Sequence, residues 1–237
     1  MEKMKQPFIK SLQIGKIQQL GDKNSNEFLT RYWESGSFKE AVIDGIVTFE
    51  GIVGDLVSDR KNHGGEEKAV FANSYENYPK WCKFLGVDEL PFGALAENLT
   101  ISGLDETTVF LGDIHQIAGI TLQVCQPRKP CWKISRRWQN KNFTNEIYTS
   151  GRTGWYYQVL KSGKITKNAT IIVSHNDGIK ISIIEANQAF REPKKYKSTL
   201  LKILEISSLS KKYKESITQR LEGSFNLSYM ELKDENR

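Results

Sequence analysis

Ile120-Thr121-Leu122-Gln123-Val124-Cys125-Gln126-Pro127-Arg128-Lys129-Pro130-Cys131-Trp132-Lys133 is an alternating strand that runs straight into two prolines. Ile120, Leu122 and Val124 face one way, and Thr121, Gln123 and Cys125 the other, the period of two expected of a strand with unlike faces. Pro127 and Pro130 each fix their own φ and push the residue before them toward extended geometry. Cys131 is therefore expected on a stiff, non-helical segment just beyond the strand, and loops at strand ends on a rigid scaffold are where functional residues concentrate. Arg128, Lys129 and Lys133 put positive charge near the thiol in sequence, which favours the thiolate, the form that acts as nucleophile or metal ligand. Residue chemistry alone leaves a second reading open, Cys131 as a small buried hydrophobe beside Trp132.

Outward from this segment, short β-branched runs at residues 14–19 and 41–49 read as further strands. Gly51 and Gly54 interrupt residues 48–57 as at bends in a curved sheet, and Leu111-Gly112-Asp113 and Ala118-Gly119 punctuate two more strands. A helix is expected over residues 74–85, starting late or kinked because Pro79 lies within it. Many short strands with glycine turns point to a barrel or sandwich. After His175-Asn176-Asp177-Gly178 the texture changes to helices. Ser182 and Glu185 form a capping-box pattern, Ser198 and Ser210 are placed to cap two more helices, and Gly223 stops the last. This predicts a β-barrel domain over residues 1–175 and a three-helix domain over 178–237, with the last dozen residues frayed.

The 237-residue chain is long enough to bury a core without staples, and three irregularly spaced cysteines do not make a disulfide framework. No secretory signal and no run near the roughly 20 apolar residues of a membrane helix is visible, so a cytoplasmic, non-membrane protein is expected. The net charge of +6 is spread out, with +4 of it from Gly178 onward in clusters such as Lys211-Lys212-Tyr213-Lys214. With no base-reading signature, these read as solvated faces and a nucleic-acid partner is not expected, whereas an anionic small ligand suits the balance.

Three more stretches carry candidate chemistry. In Asp59-Arg60-Lys61-Asn62-His63-Gly64-Gly65-Glu66-Glu67-Lys68, paired glycines let backbone amides approach an anion, with Arg60, Lys61, His63 and Lys68 adding charge. A solvated surface hairpin is the competing reading, and His63 reads either as an acid–base group or as a hydrogen-bonding loop residue. Glu97 and Asn98 offer a proton carrier and a donor–acceptor pair for a heterocycle edge, or they are turn residues. Arg152, between small residues in Ser150-Gly151-Arg152-Thr153-Gly154, is another phosphate contact in prospect.

In order, Gly54-Asp55, Lys61-x-His63-Gly64-Gly65-x-x-Lys68-Ala69-Val70, Glu97-Asn98-Leu99 with Gly103-Leu104, Gly112-Asp113 and Gln126-Pro127-Arg128-x-Pro130-Cys131-x-Lys133 resemble the MOSC-domain family. Gly151-Arg152-Thr153-Gly154-Trp155-x-Tyr157 and the terminal helices resemble its YiiM-like branch. The resemblance spans residues 14–223 and implies a mainly β fold, a MOSC-type β-barrel with a few helices plus a small C-terminal three-helix domain. It also implies a molybdenum cofactor in its molybdopterin form, with Cys131 as ligand to molybdenum. The implied activity is reduction of N-hydroxylated compounds, hydroxylamino-purines included, with electrons from a separate flavin-containing protein. On this reading Lys61, His63, Gly64, Gly65, Lys68, Asn98, Arg128 and Arg152 hold the cofactor, and His63 or Glu97 relays protons. One departure stands out: the family runs Phe-Gly-Glu-Asn-Leu, and here Ala94-Leu95-Ala96 separates Gly93 from Glu97. The rival assignment for the same activated thiol is a sulfur carrier holding a Cys131 persulfide; a binding module docking a partner through the terminal helices is a third.

Overall fold

The computed structural model describes residues 6–175 and 178–230. Its strands are β1 (Phe8–Gly15), β2 (Gln18–Leu20), β3 (Trp33–Ser35), β4 (Lys39–Val42), β5 (Asp44–Thr48), β6 (Gly51–Ile52) and β7 (Val70–Ser74). Then come β8 (Leu99–Ser102), β9 (Ile114–Ile117), β10 (Ile120–Pro127), β11 (Trp155–Lys161), β12 (Gly163–Thr166) and β13 (Ile171–Ser174). Eight of these form one sheet in the order β13-β9-β10-β11-β7-β8-β1-β4, antiparallel throughout except for β7 against β8. The sheet curls until the chain at the start of its β13 edge meets β1, the strand next to the other edge. Ile9 N–H donates to the Ala169 carbonyl (2.9 Å), Ile171 N–H to Pro7 (2.8 Å) and Asn168 N–H to Ile9 (2.8 Å). The expected barrel is the observed one, with β5, β6 and β12 as a smaller sheet beside it.

Local chemistry explains where the strands break. The run at 14–19 is cut at Gly15, whose N–H donates to Asp55 Oδ1 (2.7 Å) and where a Cβ would lie 2.4 Å from the Gly36 carbonyl oxygen. The run at 41–49 is split at exposed Ile43, where the chain passes from the large sheet to the small one. Along β10, Ile120, Leu122 and Val124 enter the core and Thr121 and Gln123 stay half-buried, as the alternation predicts. Cys125 departs from it and is fully buried, because the register against β11 shifts between Val124 and Gln126.

The helices are α1 (Arg60–His63), α2 (Tyr78–Leu85), α3 (Trp132–Arg137), α4 (Phe143–Ser150), α5 (Ile183–Arg191), α6 (Lys197–Leu204) and α7 (Lys211–Glu222). Pro79 delays α2 as expected: residues 75–77 form a 3-10 turn and the helix proper begins at Tyr78, with proline in its first turn. The capping box at α5 is complete, since Glu185 N–H donates to Ser182 Oγ (3.3 Å) and Ser182 N–H to Glu185 Oε2 (2.8 Å). Ser210 caps α7, and Gly223 closes it in the left-handed region at φ 76°. Ser198 is a correction: α6 begins at Lys197 behind Tyr196, so Ser198 lies inside the helix.

Two apolar cores result. Barrel residues such as Ile9, Leu99, Leu122 and Trp155 share one core with Phe190, Leu200, Ile203 and Ile217 of the terminal helices. A second core joins Tyr78 and Trp81 of α2 to Ile134, Phe143 and Ile147 of α3 and α4. Ala94 and Leu95 of the three-residue departure are fully buried in it. The frayed end needs partial revision, because the Tyr229 carbonyl accepts from Trp132 N–H (3.2 Å). Residues 176–177 of the junction and 231–237 of that terminus lie outside the described residues. Among the described residues, no helix is long and apolar enough to cross a membrane.

Candidate active site around Cys131

Cys131 sits where the sequence places it, four residues past the end of β10 in extended conformation (φ −119°, ψ 163°) and just before α3. Its backbone is held firmly: the carbonyl accepts from Thr144 Oγ1 (3.1 Å) and Ile134 N–H (3.1 Å). The thiol is 9 % exposed and lies in the wall of a cavity of about 500 Å³. Burial pushes a thiol upward, but here the charge and hydrogen bond of His63, the Arg128 guanidinium and the Lys133 amide outweigh it and bring Cys131 down to about 6.

The glycine-rich stretch builds the wall facing the thiol. Asp59 starts α1 by accepting from Asn62 N–H at Oδ1 (3.0 Å) and Asn62 Nδ2 at Oδ2 (2.9 Å), which sets His63 at the end of the turn beside Cys131. A Cβ at Gly64 would come within 2.9 Å of the Arg60 carbonyl oxygen. Gly65 has φ +97° with nothing within 4 Å of a Cβ position, so its backbone demands glycine while the space beside it stays open.

Arg128 carries the most telling electrostatic feature. It is 6 % exposed, its guanidinium lies 5.3 Å over the Phe71 ring, and its Nη1 is buried without a hydrogen-bond partner among the described residues. A buried guanidinium N–H without an acceptor is costly, and an anion in the cavity would satisfy it. Tyr156, also in the lining, is raised to about 12 by burial, with Arg128 pulling the other way.

The floor holds a pair that sequence reasoning missed. Lys39 and Asp55 form a buried ion pair with side chains 6 % and 8 % exposed. Burial keeps the Lys39 ammonium below its usual range, while Asp55 works against that shift. Asn98 Nδ2 donates to Asp55 Oδ2 (2.8 Å) and to the Gln13 carbonyl (3.3 Å), and its Oδ1 accepts from Phe71 N–H (3.1 Å). Asn98 lines the cavity, but its amide is already engaged there; its action on the site runs through Asp55. Gly54-Asp55 was a visible signal, whereas nothing near Lys39 marks it in the sequence.

The structure gathers His63, Gly64, Gly65, Lys68, Asn98, Arg128 and Cys131 around this one cavity, with Arg60 and Lys133. Lys68 also ties its ammonium to the Asn62 carbonyl. Three candidates fall outside the lining. Lys61 is exposed, its carbonyl accepting from Lys212 Nζ (2.6 Å). Arg152 is half-buried on the loop after α4. Glu97 is fully buried behind the wall, accepting from the Tyr78 hydroxyl, Thr100 Oγ1 (2.9 Å), Gly93 N–H (3.2 Å) and Leu95 N–H (3.0 Å). Its carboxylate binds the Gly93–Ala96 turn, whose Ala96 takes φ 71°. Lys129, next to Arg128, faces away, donating to Ser216 Oγ of α7 (2.8 Å), and burial lowers it to about 8.

A thiol lowered to about 6, a buried arginine donor without a partner among the described residues and an open glycine turn in one cavity fit an anionic cofactor with a metal that accepts sulfur. Residues 59–172 match the model of the MOSC domain, a span that contains His63, Arg128, Cys131 and Tyr156. The chain is 31% identical over 211 residues to the uncharacterised protein YflK of Bacillus subtilis, covering 89% of this chain and 92% of that one. It is 31% identical over 144 residues to a protein of Gibberella moniliformis named as a reductase, covering 60% of this chain and 26% of that one. The crystal structure of YiiM from Geobacillus stearothermophilus superposes with a TM-score of 0.74 at 26% identity, over 91% of this chain and 99% of that one. With barrel, cysteine loop and glycine turn all in place, the chain belongs to the MOSC-domain family, as a YiiM-like member.

Proposed function

We propose that this protein is a molybdenum-cofactor-dependent reductase of N-hydroxylated compounds, hydroxylamino-purines among them, with Cys131 as the protein ligand to molybdenum. The observation that carries the reading is Cys131 at about pKa 6 in one cavity with Arg128, whose buried Nη1 has no hydrogen-bond partner among the described residues. A thiolate already formed at neutral pH is the form a metal takes up, and it needs no proton removed on binding. Arg128, Lys68 and Arg60 supply positive charge for a phosphate, and the Gly64-Gly65 turn lets backbone approach it. The MOSC family is generally associated with the molybdenum cofactor, and one relative carries the name reductase.

The cofactor supplies the two-electron redox chemistry when bound, and the chain's own groups bind, orient and protonate. Reduction of an N–OH group to the amine consumes two electrons and two protons and releases water. The electrons come from an external flavin-containing protein. His63, beside the thiolate and facing the cavity, is the group placed to hold and pass a proton. Glu97 does not face the cavity and is given no part in that transfer. The recessed thiol weighs against the sulfur-carrier alternative, which has to present its sulfur to another protein's site.

The test is turnover of a hydroxylamino-purine to the amine by the metal-loaded chain with NADH and a flavin reductase. Activity in wild type and its loss in Cys131→Ala is the expected result. A metal-loaded wild type without turnover, or a fully active Cys131→Ala protein, overturns it.

A further inference from the structure

A second groove, of about 490 Å³, adjoins the Cys131 cavity and shares Ser58 and Lys133 with it. Lys133 Nζ donates to Ser58 Oγ (3.1 Å) and to the Glu34 carbonyl (2.8 Å), forming the low ridge between the two. Trp132, the residue directly after the thiol, lines the groove with Trp33 at a centroid distance of 5.9 Å. At its wall lies Arg136, only 1 % exposed. Its Nε donates to the Phe28 carbonyl and its Nη1 to the Arg31 carbonyl (3.2 Å), while its Nη2 is buried with no partner among the described residues. The guanidinium is wedged among the rings of Trp132 (4.8 Å), Phe28 (5.4 Å) and Trp33 (6.0 Å).

A fixed guanidinium with a spare, desolvated N–H is a recognition element for an oxyanion. Arg31 and Lys133 add positive charge in the same lining. The single carboxylate there, Glu34, already accepts from the Tyr32 hydroxyl (2.7 Å) and Gln19 Nε2 (3.3 Å). Because this anion site shares its Lys133–Ser58 edge with the larger Cys131 cavity, a phosphate carrying a sugar and base suits the two together better than a bare ion. We propose that this groove binds the phosphate of a nucleotide, so that the substrates include N-hydroxylated nucleoside monophosphates as well as the free bases. The base enters the Cys131 cavity, the sugar crosses the Lys133–Ser58 ridge, and the phosphate meets Arg31 and Arg136. The substrate assignment rests on the reductase reading; the binding site does not.

The experiment is calorimetric titration of the full chain, cofactor-loaded and cofactor-free, with AMP, adenosine and inorganic phosphate. AMP is expected to bind about tenfold or more tighter than either of the others, the scale of one added charge-assisted contact. Arg31→Gln and Arg136→Lys should each weaken AMP about fivefold or more and leave adenosine unchanged. Arg31→Gln keeps the test decisive if Arg136→Lys fails to fold, because the Arg31 side chain makes no hydrogen bond among the described residues. AMP binding no tighter than adenosine, phosphate binding as well as AMP, or AMP affinity indifferent to Arg31→Gln each overturns the proposal. Failure of the AMP arm in a chain that reduces the free base removes the groove and leaves the reductase. AMP binding that meets these criteria in a chain that retains no molybdenum does the reverse.

Discussion

Cys125 and Cys131 lie on one continuous segment, and both are buried, yet their surroundings drive them in opposite directions. Around Cys125 the strand is closed on all sides: its Sγ donates to the Glu67 carbonyl (3.1 Å) and the Tyr156 carbonyl (3.5 Å). Burial and the Glu67 carboxylate push that thiol far above its ordinary range. Past the two prolines, burial acts on Cys131 in the same sense, but His63 and Arg128 reverse the outcome and bring it to about 6. Burial alone therefore raises a thiol, while a histidine and an arginine held beside it by a turn and a strand end bring it down.

The largest expected effect is on alkylation of the native protein by iodoacetamide at pH 7. Cys131 is mostly thiolate there, whereas burial keeps Cys125 protonated, so peptide mass spectrometry should find the label overwhelmingly on Cys131 rather than Cys125. Comparable labelling of both thiols breaks the comparison.

His63→Gln should raise the Cys131 pKa by about one to two units, read as thiolate absorbance against pH in a Cys82→Ala, Cys125→Ala background. The same shift has a stability consequence. Because the folded pKa lies below that of the unfolded thiol, the native state binds fewer protons in between. Its stability contribution is complete above the ordinary thiol range and is lost as pH falls through about 6. His63→Gln should flatten this pH dependence of Tm, whereas an unchanged slope contradicts the assigned role.

Glu97→Gln should cost about 1–3 kcal/mol in denaturant unfolding, because a hub accepting several hydrogen bonds is weakened. It should leave the pH profile of turnover in place; a displaced profile would restore Glu97 as a proton carrier. Smallest is Cys125→Ala, expected to cost about 1 kcal/mol without altering the Cys131 titration.

What could be read in advance followed from short-range chemistry. The alternation in β10 as far as Val124, the prolines that end it, the Ser182 capping box and the Gly223 stop are local rules, and each holds in the fold. Helices α3 and α4 are additions to what the sequence predicts, and α3 begins directly after the extended Cys131. Among the candidate site residues, those in the cavity owe their place to turns and strand ends that share one side of the barrel. Lys61, Glu97 and Arg152 carry the same residue chemistry without that placement. The Lys39–Asp55 pair depends on β4 lying beside β1 in the sheet and on the turn that returns Asp55 to Gly15, a relation no local pattern encodes. Arg136 is similar: its burial comes from rings and carbonyls contributed about a hundred residues earlier.

The most direct test of the central claim is molybdenum content, by elemental analysis, of wild type, Cys131→Ala and Cys125→Ala proteins made together in a host that loads a control molybdoenzyme. The account predicts stoichiometric metal in wild type and Cys125→Ala and its loss in Cys131→Ala. Equal metal in all three, or none in wild type, contradicts it.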